Sequence, residues 1–230
     1  MKSGLTYLIF VIDRSGSMQS IRADMIGGFN SFIKSQQDAK LGDCRVFAYK
    51  FDTTYEPMFE DVDLNSVPLL DNTSYDPRGG TALYDSLGKT IVDIGARLAA
   101  LPESERPEKV LVVTITDGED NDRLRNEGVT RYNSTQVAEM VKHQTEKYKW
   151  DFAYIGANQD SWAVGKSMGY TRGTTLDYAA DSHGTAMAFA SLDMSAQQYR
   201  SAGSGVKFSF QPQPVDVTVT PVKPAKSKKH

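Results

Sequence analysis

Four stretches of the chain carry apolar residues without the polar alternation of a strand that has one face in water. They are rich in Val, Ile, Phe and Tyr, and they run from Leu5 to Ile12, Cys44 to Phe51, Val110 to Ile115 and Phe152 to Ile155. Unbroken apolar runs of this length are typical of strands that are covered on both faces, as in a mostly parallel sheet. The pattern therefore predicts four buried strands.

Between these stretches the apolar spacing becomes that of helices. Three stripes recur every three or four residues: Ile21, Met25, Phe29, Phe32 and Ile33; Leu83, Leu87, Ile91, Ile94 and Leu98; and a weaker one of Val137, Met140, Val141 and Tyr148. Each stripe would bury one face of an amphipathic helix. Alternating strands and helices predict an α/β fold, an open, mostly parallel sheet with helices on both faces.

Two regions interrupt this alternation. Residues Thr54 to Phe59 are predicted to form a short strand that pairs back on the second strand, and the segment Leu69 to Gly80 is predicted to be a loop because it is rich in Asp, Asn, Pro and Gly. After Ile155 the pattern predicts a short helix over Gln159 to Met168, a loop over Thr171 to Tyr178, and a helix over Ser182 to Tyr199 with Met187, Ala190 and Met194 on one side. Whether this last helix packs on the sheet or forms a separate contact surface is left open.

The C-terminal segment from Gly203 has a different composition. It contains four prolines and four lysines within residues 212–230. Val215 to Thr220 alternates like a strand, but so many prolines favour an extended or disordered end. We therefore predict one domain over residues 3–202 and a Pro/Lys-rich tail over residues 203–230.

Charge, cysteine content and the lengths of the apolar runs exclude several classes of function and location. The formal net charge of -3 and the pI of about 5.7 argue against a basic surface for nucleic acid. Cys44 is the single cysteine, so the chain has neither an internal disulfide nor a cysteine metal cluster. No segment approaches the roughly 18 apolar residues that span a bilayer, and no cleavage site follows the first apolar run. These features predict a cytoplasmic protein with no membrane partner.

Oxygen-bearing side chains follow two of the predicted strands. Asp13 ends the first strand and Asp117 follows Val110 to Ile115, so neighbouring parallel strands would bring both carboxylates to one edge of the sheet. Ser15 and Ser17 follow Asp13, and Thr81 stands after a Gly-Gly turn as the predicted cap of the second helix. Carboxylates and hydroxyls are hard ligands that suit Mg²⁺, Mn²⁺ or Ca²⁺.

Each element of this site has a simpler interpretation when it stands alone. Asp and Ser commonly cap helices, so the segment from Asp13 to Ser17 alone would favour capping; the combination with Thr81 and Asp117 favours a metal site. Asp85 is interpreted as a partner of a helix dipole or as a support for the metal site. The acidic run after Asp117 is interpreted as a solvated loop, with tuning of ion affinity as the alternative.

The combination resembles a known family. Asp13-x-Ser15-x-Ser17, Thr81 after Gly-Gly, and Asp117 are similar to the metal-ion-dependent adhesion site (MIDAS) of von Willebrand factor A (vWA) domains. The resemblance implies a Rossmann-like sheet with one Mg²⁺ at its upper edge, bound by Ser15 and Ser17 directly and by the other three side chains directly or through water. The sequence Gly-Gly-Thr-Ala-Leu-Tyr-Asp at residues 79–85 most resembles the corresponding segment of stand-alone bacterial or phage members of the family.

The resulting hypothesis is a metal-dependent protein-binding module and not an enzyme. The resemblance implies a protein partner that completes the metal shell with a Glu or Asp carboxylate. One alternative is an adaptor or structural component of a larger bacterial or phage assembly, of the kind that is partnered with an ATPase. The other is a Mg²⁺-dependent hydrolase, against which the chain has Ser15 where an aspartyl-phosphate enzyme needs a second carboxylate, and no phosphate-binding loop.

Overall fold

The strands form one twisted sheet with the first strand near its centre. The computed structural model describes residues 1–125, 128, 130–157 and 160–211. Within these residues the sheet has the order β3-β2-β1-β4-β5-β6, and all neighbouring pairs are parallel except β2 and β3. The strands are β1 (Lys2–Asp13), β2 (Cys44–Phe51), β3 (Tyr55–Asp63), β4 (Pro107–Thr116), β5 (Asp151–Ala157) and β6 (Thr175–Tyr178). The predicted α/β fold with a mostly parallel sheet is confirmed.

Helices cover both faces of this sheet, as predicted. They are α1 (Arg22–Asp38), α2 (Leu83–Ala100), α3 (Ser134–Tyr148), α4 (Ser161–Ser167) and α5 (Ser182–Ser201). The buried faces of α1 and α5 share one core cluster with the sheet, whereas those of α2 and α3 belong to a second cluster on the opposite face. Short 3-10 turns cover Gly16–Ile21, Leu64–Ser66 and Glu103–Glu105. No helix within the described residues is long and apolar enough to cross a membrane.

The lack of polar alternation in β1 follows from these two covered faces. Leu8, Phe10 and Ile12 enter the cluster with α1 and α5, while Ile9 and Val11 enter the cluster with α2 and α3. Successive side chains of a strand point to opposite faces, so both sets must be apolar. All five side chains are at most 1% exposed. Burial on both faces thus fixes the position of the strand end that follows.

The parallel register brings three strand ends to the same edge. Ile12 of β1 lies opposite Ile115 of β4, and Asp13 lies opposite Phe51 of β2. The chain order also reverses at β1, which has β2 on one side and β4 on the other. In open α/β sheets, ligands bind at the carboxyl ends of strands where the order reverses. The strand that ends at Asp13 and the strand before Asp117 are thus neighbours, which is the condition for both carboxylates to lie at one edge of the sheet.

One prediction about the C-terminal half is wrong, and one question that the sequence left open is answered. The segment expected to be a loop contains β6, which pairs in parallel with β5. Helix α5 packs on the sheet and on α1, and the side that carries Met187, Ala190 and Met194 faces outward: Met187 is 38% and Met194 43% exposed. Its buried side instead carries Phe189 and Leu192 among small residues. Small side chains allow α1 and α5 to approach closely, and they give little apolar contrast in a sequence.

Residues that follow α5 reach back to the core. Residues 203–211 contain no helix or strand, yet Phe208 is 3% exposed and contacts Tyr199 ring to ring at 5.9 Å. The backbone N–H of Phe210 donates to the carbonyl of Gly173 at 2.7 Å. The boundary at residue 202 stays a prediction. The predicted extended tail beyond Gln211, including the alternation at 215–220, lies outside the described residues.

We expect Gly28→Ala to destabilise the packing of α1 on α5. A Cβ at Gly28 would stand 2.1 Å from Cδ2 of Phe189, whose ring is buried. Overpacking of a core contact costs about 1–3 kcal/mol, and this approach is close enough to reach the upper end. Chemical denaturation would measure the loss. Gly27→Ala, with no atom within 4 Å of the added carbon, is the control and should change the free energy of unfolding much less.

Candidate metal centre

The carboxylate of Asp13 is fixed at the edge of the sheet. Its side chain is fully buried, with Oδ1 accepting from the N–H of Ser15 and Oδ2 from the hydroxyl of Thr116, both at 2.6 Å. The phenol of Tyr75 donates to the backbone carbonyl of Asp13 at 2.6 Å. Both carboxylate oxygens and the main chain are therefore held in one orientation.

Three further candidate ligands form a row that leads from this carboxylate to the surface. Ser15 Oγ lies 3.1 Å from Ser17 Oγ, and Ser17 Oγ donates to Asp117 Oδ1 at 2.7 Å. Neighbouring oxygens around an octahedral Mg²⁺ with bonds of about 2.1 Å are separated by about 3 Å. Ser15 is buried, Asp117 is half-buried and Ser17 is exposed. The spacing and the exposure of the row fit a hard metal ion that is open on one side.

The capping interpretation does not account for Ser15. A 3-10 turn begins at Gly16 directly after it, but the side chain of Ser15 makes no capping hydrogen bond. Its hydroxyl contacts that of Ser17 instead. The prediction that Thr81 caps the second helix is also wrong, because α2 begins at Leu83 and Ala82 occupies the cap position. Neither Ser15 nor Thr81 therefore caps a helix with its hydroxyl.

Thr81 is held at the edge of the sheet by hydrogen bonds to the chain segment that follows β4. Its N–H donates to Oδ1 of Asn121 at 2.8 Å, and its carbonyl accepts from the N–H of Asn121 at 3.0 Å. Thr81 is 1% exposed. Its Oγ1 lies 3.8 Å from the place where a Cβ of Gly118 would stand, so the hydroxyl borders the residue next to Asp117. The structure therefore gathers all five predicted ligands at one edge.

Among the described residues, no cationic side chain pairs with either of the two candidate carboxylates. In the part of the chain that the structure describes, no Lys, Arg or His forms an ion pair with Asp13 or Asp117. Burial raises the pKa of Asp13 to about 7, and burial also raises the pKa of Asp117. A buried carboxylate without a counter-charge disfavours ionisation, and a bound cation would favour it. The donor set thus fits a divalent ion in chemistry as well as in spacing.

We expect the free energy of unfolding of the ion-free protein to fall as the pH rises from about 4 to 7. The pKa of Asp13 is higher in the folded than in the unfolded chain, so the folded state holds its proton longer and loses that advantage as the pH passes the folded pKa. The loss is at most about 4 kcal/mol. Urea denaturation in EDTA across this range would measure it. In an Asp13→Asn variant, the free energy of unfolding should depend much less on pH over this range. An equal dependence in that variant would show that Asp13 is not the group responsible.

Several residues that support the site were missed from the sequence. Thr116 donates to Asp13 and also bonds the backbone of Gly118, and Asn121 holds Thr81. Thr116 adjoins Asp117, so its position was visible, whereas its contact with Asp13 depends on strand pairing. Asn121 lies in a polar loop of ordinary composition. Neither contact has a local pattern that could identify it.

Asp85 and Asp120 accept backbone hydrogen bonds that connect α2 with the chain segment after β4. Asp85 is fully buried and accepts hydrogen bonds from the N–H groups of Leu124 and Tyr132 at 3.1 and 2.7 Å. Asp120 accepts from the N–H of Tyr84 in the first turn of α2 at 3.0 Å. These acids fasten the segment after Asp117 to α2. The interpretation of that segment as a solvated loop is therefore wrong for Asp120.

A cluster of three or more His, Cys, Asp or Glu side chains suited to a metal is absent from the described residues. The candidate centre has only two carboxylates, since its remaining donors are the hydroxyls of Ser15, Ser17 and Thr81. Such a set suits hard cations and suits zinc poorly. The centre is therefore defined by mixed oxygen donors at a strand edge.

Comparison with known proteins supports the fold. No family model matches the chain, and no curated protein matches its sequence. Among solved structures, the vWF domain of the type V pili tip protein Mfa5 from Porphyromonas gingivalis has a TM-score of 0.58 at 10% identity, covering 87% of this chain and 98% of that one. A von Willebrand factor type A protein from Catenulispora acidiphila has a TM-score of 0.55 at 15% identity, covering 84% of this chain and 42% of that one.

A third structure is that of proximal thread matrix protein 1 from the mussel byssus, described with a zinc-occupied MIDAS motif. Its TM-score is 0.54 at 16% identity, covering 84% of this chain and 46% of that one. The chain thus spans less than half the length of this protein and of the Catenulispora protein. At these identities the similarity shows the fold alone. The chain has a vWA-like fold, a mostly parallel six-stranded sheet flanked by helices.

Proposed function

We propose that this chain is a divalent-metal-dependent protein-binding module. Asp13, Ser15, Ser17, Thr81 and Asp117 would hold one Mg²⁺, with Mn²⁺ or Ca²⁺ as possible substitutes, as in a MIDAS. The observation that carries the proposal is the buried carboxylate of Asp13, which has no cationic partner among the described residues and adjoins a row of oxygens about one Mg²⁺ ligand spacing apart.

The ion, when bound, would supply an electrophilic position that a carboxylate of the partner can fill. The chain's own residues define where that position lies. Asp13 and Ser15 are buried, whereas Ser17 is exposed and Asp117 half-buried, so the free side of the site faces solvent next to Ser17. Two carboxylates formally neutralise a divalent ion, but an open coordination position would still accept an anionic oxygen ligand. We therefore propose a protein partner that presents Glu or Asp.

Binding without catalysis is part of the same proposal. Around the candidate metal centre the donors are two carboxylates and hydroxyls, with Ser15 where an aspartyl-phosphate enzyme would have its second carboxylate. The pilus location in the name of one structural neighbour supports a role in protein assembly. Cytoplasmic location, and membership of the stand-alone bacterial or phage type, stay predictions.

A capture experiment from native cells tests the proposal. The immobilised chain should retain a partner in Mg²⁺ and release it in EDTA, because the ion bridges the two proteins. Asp13→Asn should fail to retain it. Asp43→Asn is the matched control, since Asp43 is an exposed acid paired with Lys2 at the opposite end of β1. Retention of the same proteins in EDTA, or by Asp13→Asn, would contradict the proposal.

A further inference from the structure

Arg14 lies between two candidate ligands in the sequence, but its side chain is directed into a separate charged cluster. The guanidinium is 1% exposed and approaches Asp52 Oδ2 at 3.2 Å, Glu56 Oε1 at 2.7 Å and Asp76 Oδ1 at 3.1 Å. It also donates to the hydroxyl of Thr54 at 2.9 Å. Its hydrogen bond holds the pKa of Glu56 below the ordinary value. A buried Arg with so many fixed partners has little freedom to move.

Two further cations complete this group, which we call the Arg14 cluster: Arg14, Lys50, Asp52, Glu56, Asp76 and Arg78. Arg78 contacts Asp52 Oδ2 at 2.9 Å, and Lys50 Nζ lies 3.4 Å from Asp76 Oδ1. Three cations and three anions give the cluster no formal net charge. The positive charge of Arg14 is therefore balanced within the cluster and does not serve as counter-charge for Asp13.

Backbone hydrogen bonds beside the cluster also join the chain segments that carry the candidate ligands. The N–H of Arg14 donates to the carbonyl of Phe51 at 2.8 Å, and the N–H of Arg78 donates to the carbonyl of Arg14 at 2.6 Å. The N–H of Gly16 donates to the carbonyl of Gly79 at 3.1 Å. The loop of Ser15 and Ser17 is thus tied to the segment that ends in Thr81, with the end of β2 between them.

We propose that Arg14 is a positioning residue of the metal site. By pairing with acids on the end of β2, on β3 and on the segment before Thr81, it fixes the hydroxyls of Ser15 and Ser17 relative to that of Thr81. This inference rests on the proposed metal site. Mg²⁺ requires nearly ideal octahedral geometry, so small shifts between two ligand loops weaken binding. Loss of a supporting contact typically lowers metal affinity by about 10- to 100-fold.

Lysine should replace Arg14 poorly. An ammonium is a single point charge, whereas the guanidinium reaches acids on three different segments through separate nitrogens. Arg14→Lys keeps the charge and removes this geometry. A solely structural role would lower the free energy of unfolding and leave the ion affinity of the folded protein unchanged.

The test measures Mn²⁺ affinity of the full chain from the electron paramagnetic resonance of the free ion, with near-ultraviolet circular dichroism as the check of folding. We expect Arg14→Lys to weaken binding by about 10-fold and Arg14→Met by more. Arg45 supplies the control, because it pairs with Asp61 at 2.7 Å at the opposite end of β2. Arg45→Lys and Arg45→Met should bind within about twofold of the natural protein, a change too small for a supporting contact.

Glu56→Gln keeps the inference testable if both Arg14 variants fail to fold. Glu56 is 40% exposed, and its loss removes one partner of Arg14 without burying a charge. It should weaken Mn²⁺ binding severalfold. If the natural protein binds no Mn²⁺, the proposed metal site is wrong and this inference falls with it. If the natural protein binds Mn²⁺ and the folded Arg14→Lys and Glu56→Gln variants bind equally well, the inference alone is overturned.

Discussion

Asp13→Asn should abolish specific binding of divalent ions while leaving the ion-free protein folded. The buried carboxylate is the central donor of the proposed site, and an amide has the same shape without the negative charge. The amide oxygen can still accept from the N–H of Ser15, and its NH₂ can donate to the hydroxyl of Thr116. We expect affinity for Mg²⁺ or Mn²⁺ to fall by more than about 100-fold, beyond the usual effect of losing a supporting contact. Isothermal titration calorimetry would measure it.

The stability of this variant gives a second, independent readout. In EDTA at pH 8 the natural protein carries an ionised Asp13 in a buried position, because burial raises its pKa only to about 7. Asparagine avoids that ionisation, so Asp13→Asn should equal or exceed the natural protein in the free energy of unfolding. Saturating Mg²⁺ should reverse the order by stabilising only the natural protein. An unchanged affinity, or a variant that Mg²⁺ stabilises equally, would sink the assignment of Asp13.

Asp85→Ala should cost about 3 kcal/mol of stability. Asp85 is fully buried and accepts from the N–H groups of Leu124 and Tyr132, which lie on the segment between β4 and α3. Arg131 also contacts it at 3.3 Å. Removing the carboxylate leaves the buried N–H of Leu124 and the part-buried N–H of Tyr132 unpaired, and each unsatisfied buried group costs about 1–3 kcal/mol. Urea denaturation would measure the loss, and hydrogen exchange should show faster exchange at Leu124 and Tyr132.

A nearby acid on the same helix provides the comparison. Asp93 of α2 is half-buried and pairs with Lys89 one turn away at 2.8 Å. Pairs of this kind contribute about 0.3–0.5 kcal/mol, so Asp93→Ala should have a small effect. Equal losses in Asp85→Ala and Asp93→Ala would show that the hydrogen bonds of Asp85 do not hold the segment.

The sheet was predictable because burial on both faces leaves a mark on the sequence. Strand β2 has the predicted bounds Cys44–Phe51, and β1, β4 and β5 extend beyond their apolar runs by a few residues. Strand β6 escaped prediction since its four residues include Asp177 and follow a loop-like sequence. The packing of α5 was left open because the small residues of its buried side give little apolar pattern in the sequence. The close packing of α5 on α1 therefore cannot be predicted from the hydrophobicity of either helix alone.

The position of the candidate ligands at one edge was predictable for a different reason. Strand ends follow directly from the apolar runs, and Asp13 and Asp117 come at or next to those ends. The supports of the site depend on pairings between distant segments: Asn121 lies 40 residues from Thr81, and Asp76 lies 62 residues from Arg14. Such contacts exist only once the sheet has formed. A polar residue in a loop does not reveal in sequence which backbone group it will meet.

Equilibrium dialysis of the full chain against Mn²⁺, followed by metal analysis, tests the central claim most directly. Mn²⁺ shares the preference of Mg²⁺ for oxygen ligands. We predict one tightly bound ion per chain in the natural protein and in Asp43→Asn, displaced by excess Mg²⁺, and none in Asp13→Asn. Absence of a stoichiometric ion in the natural protein, or one ion retained by Asp13→Asn, would contradict a metal centre at this edge of the sheet.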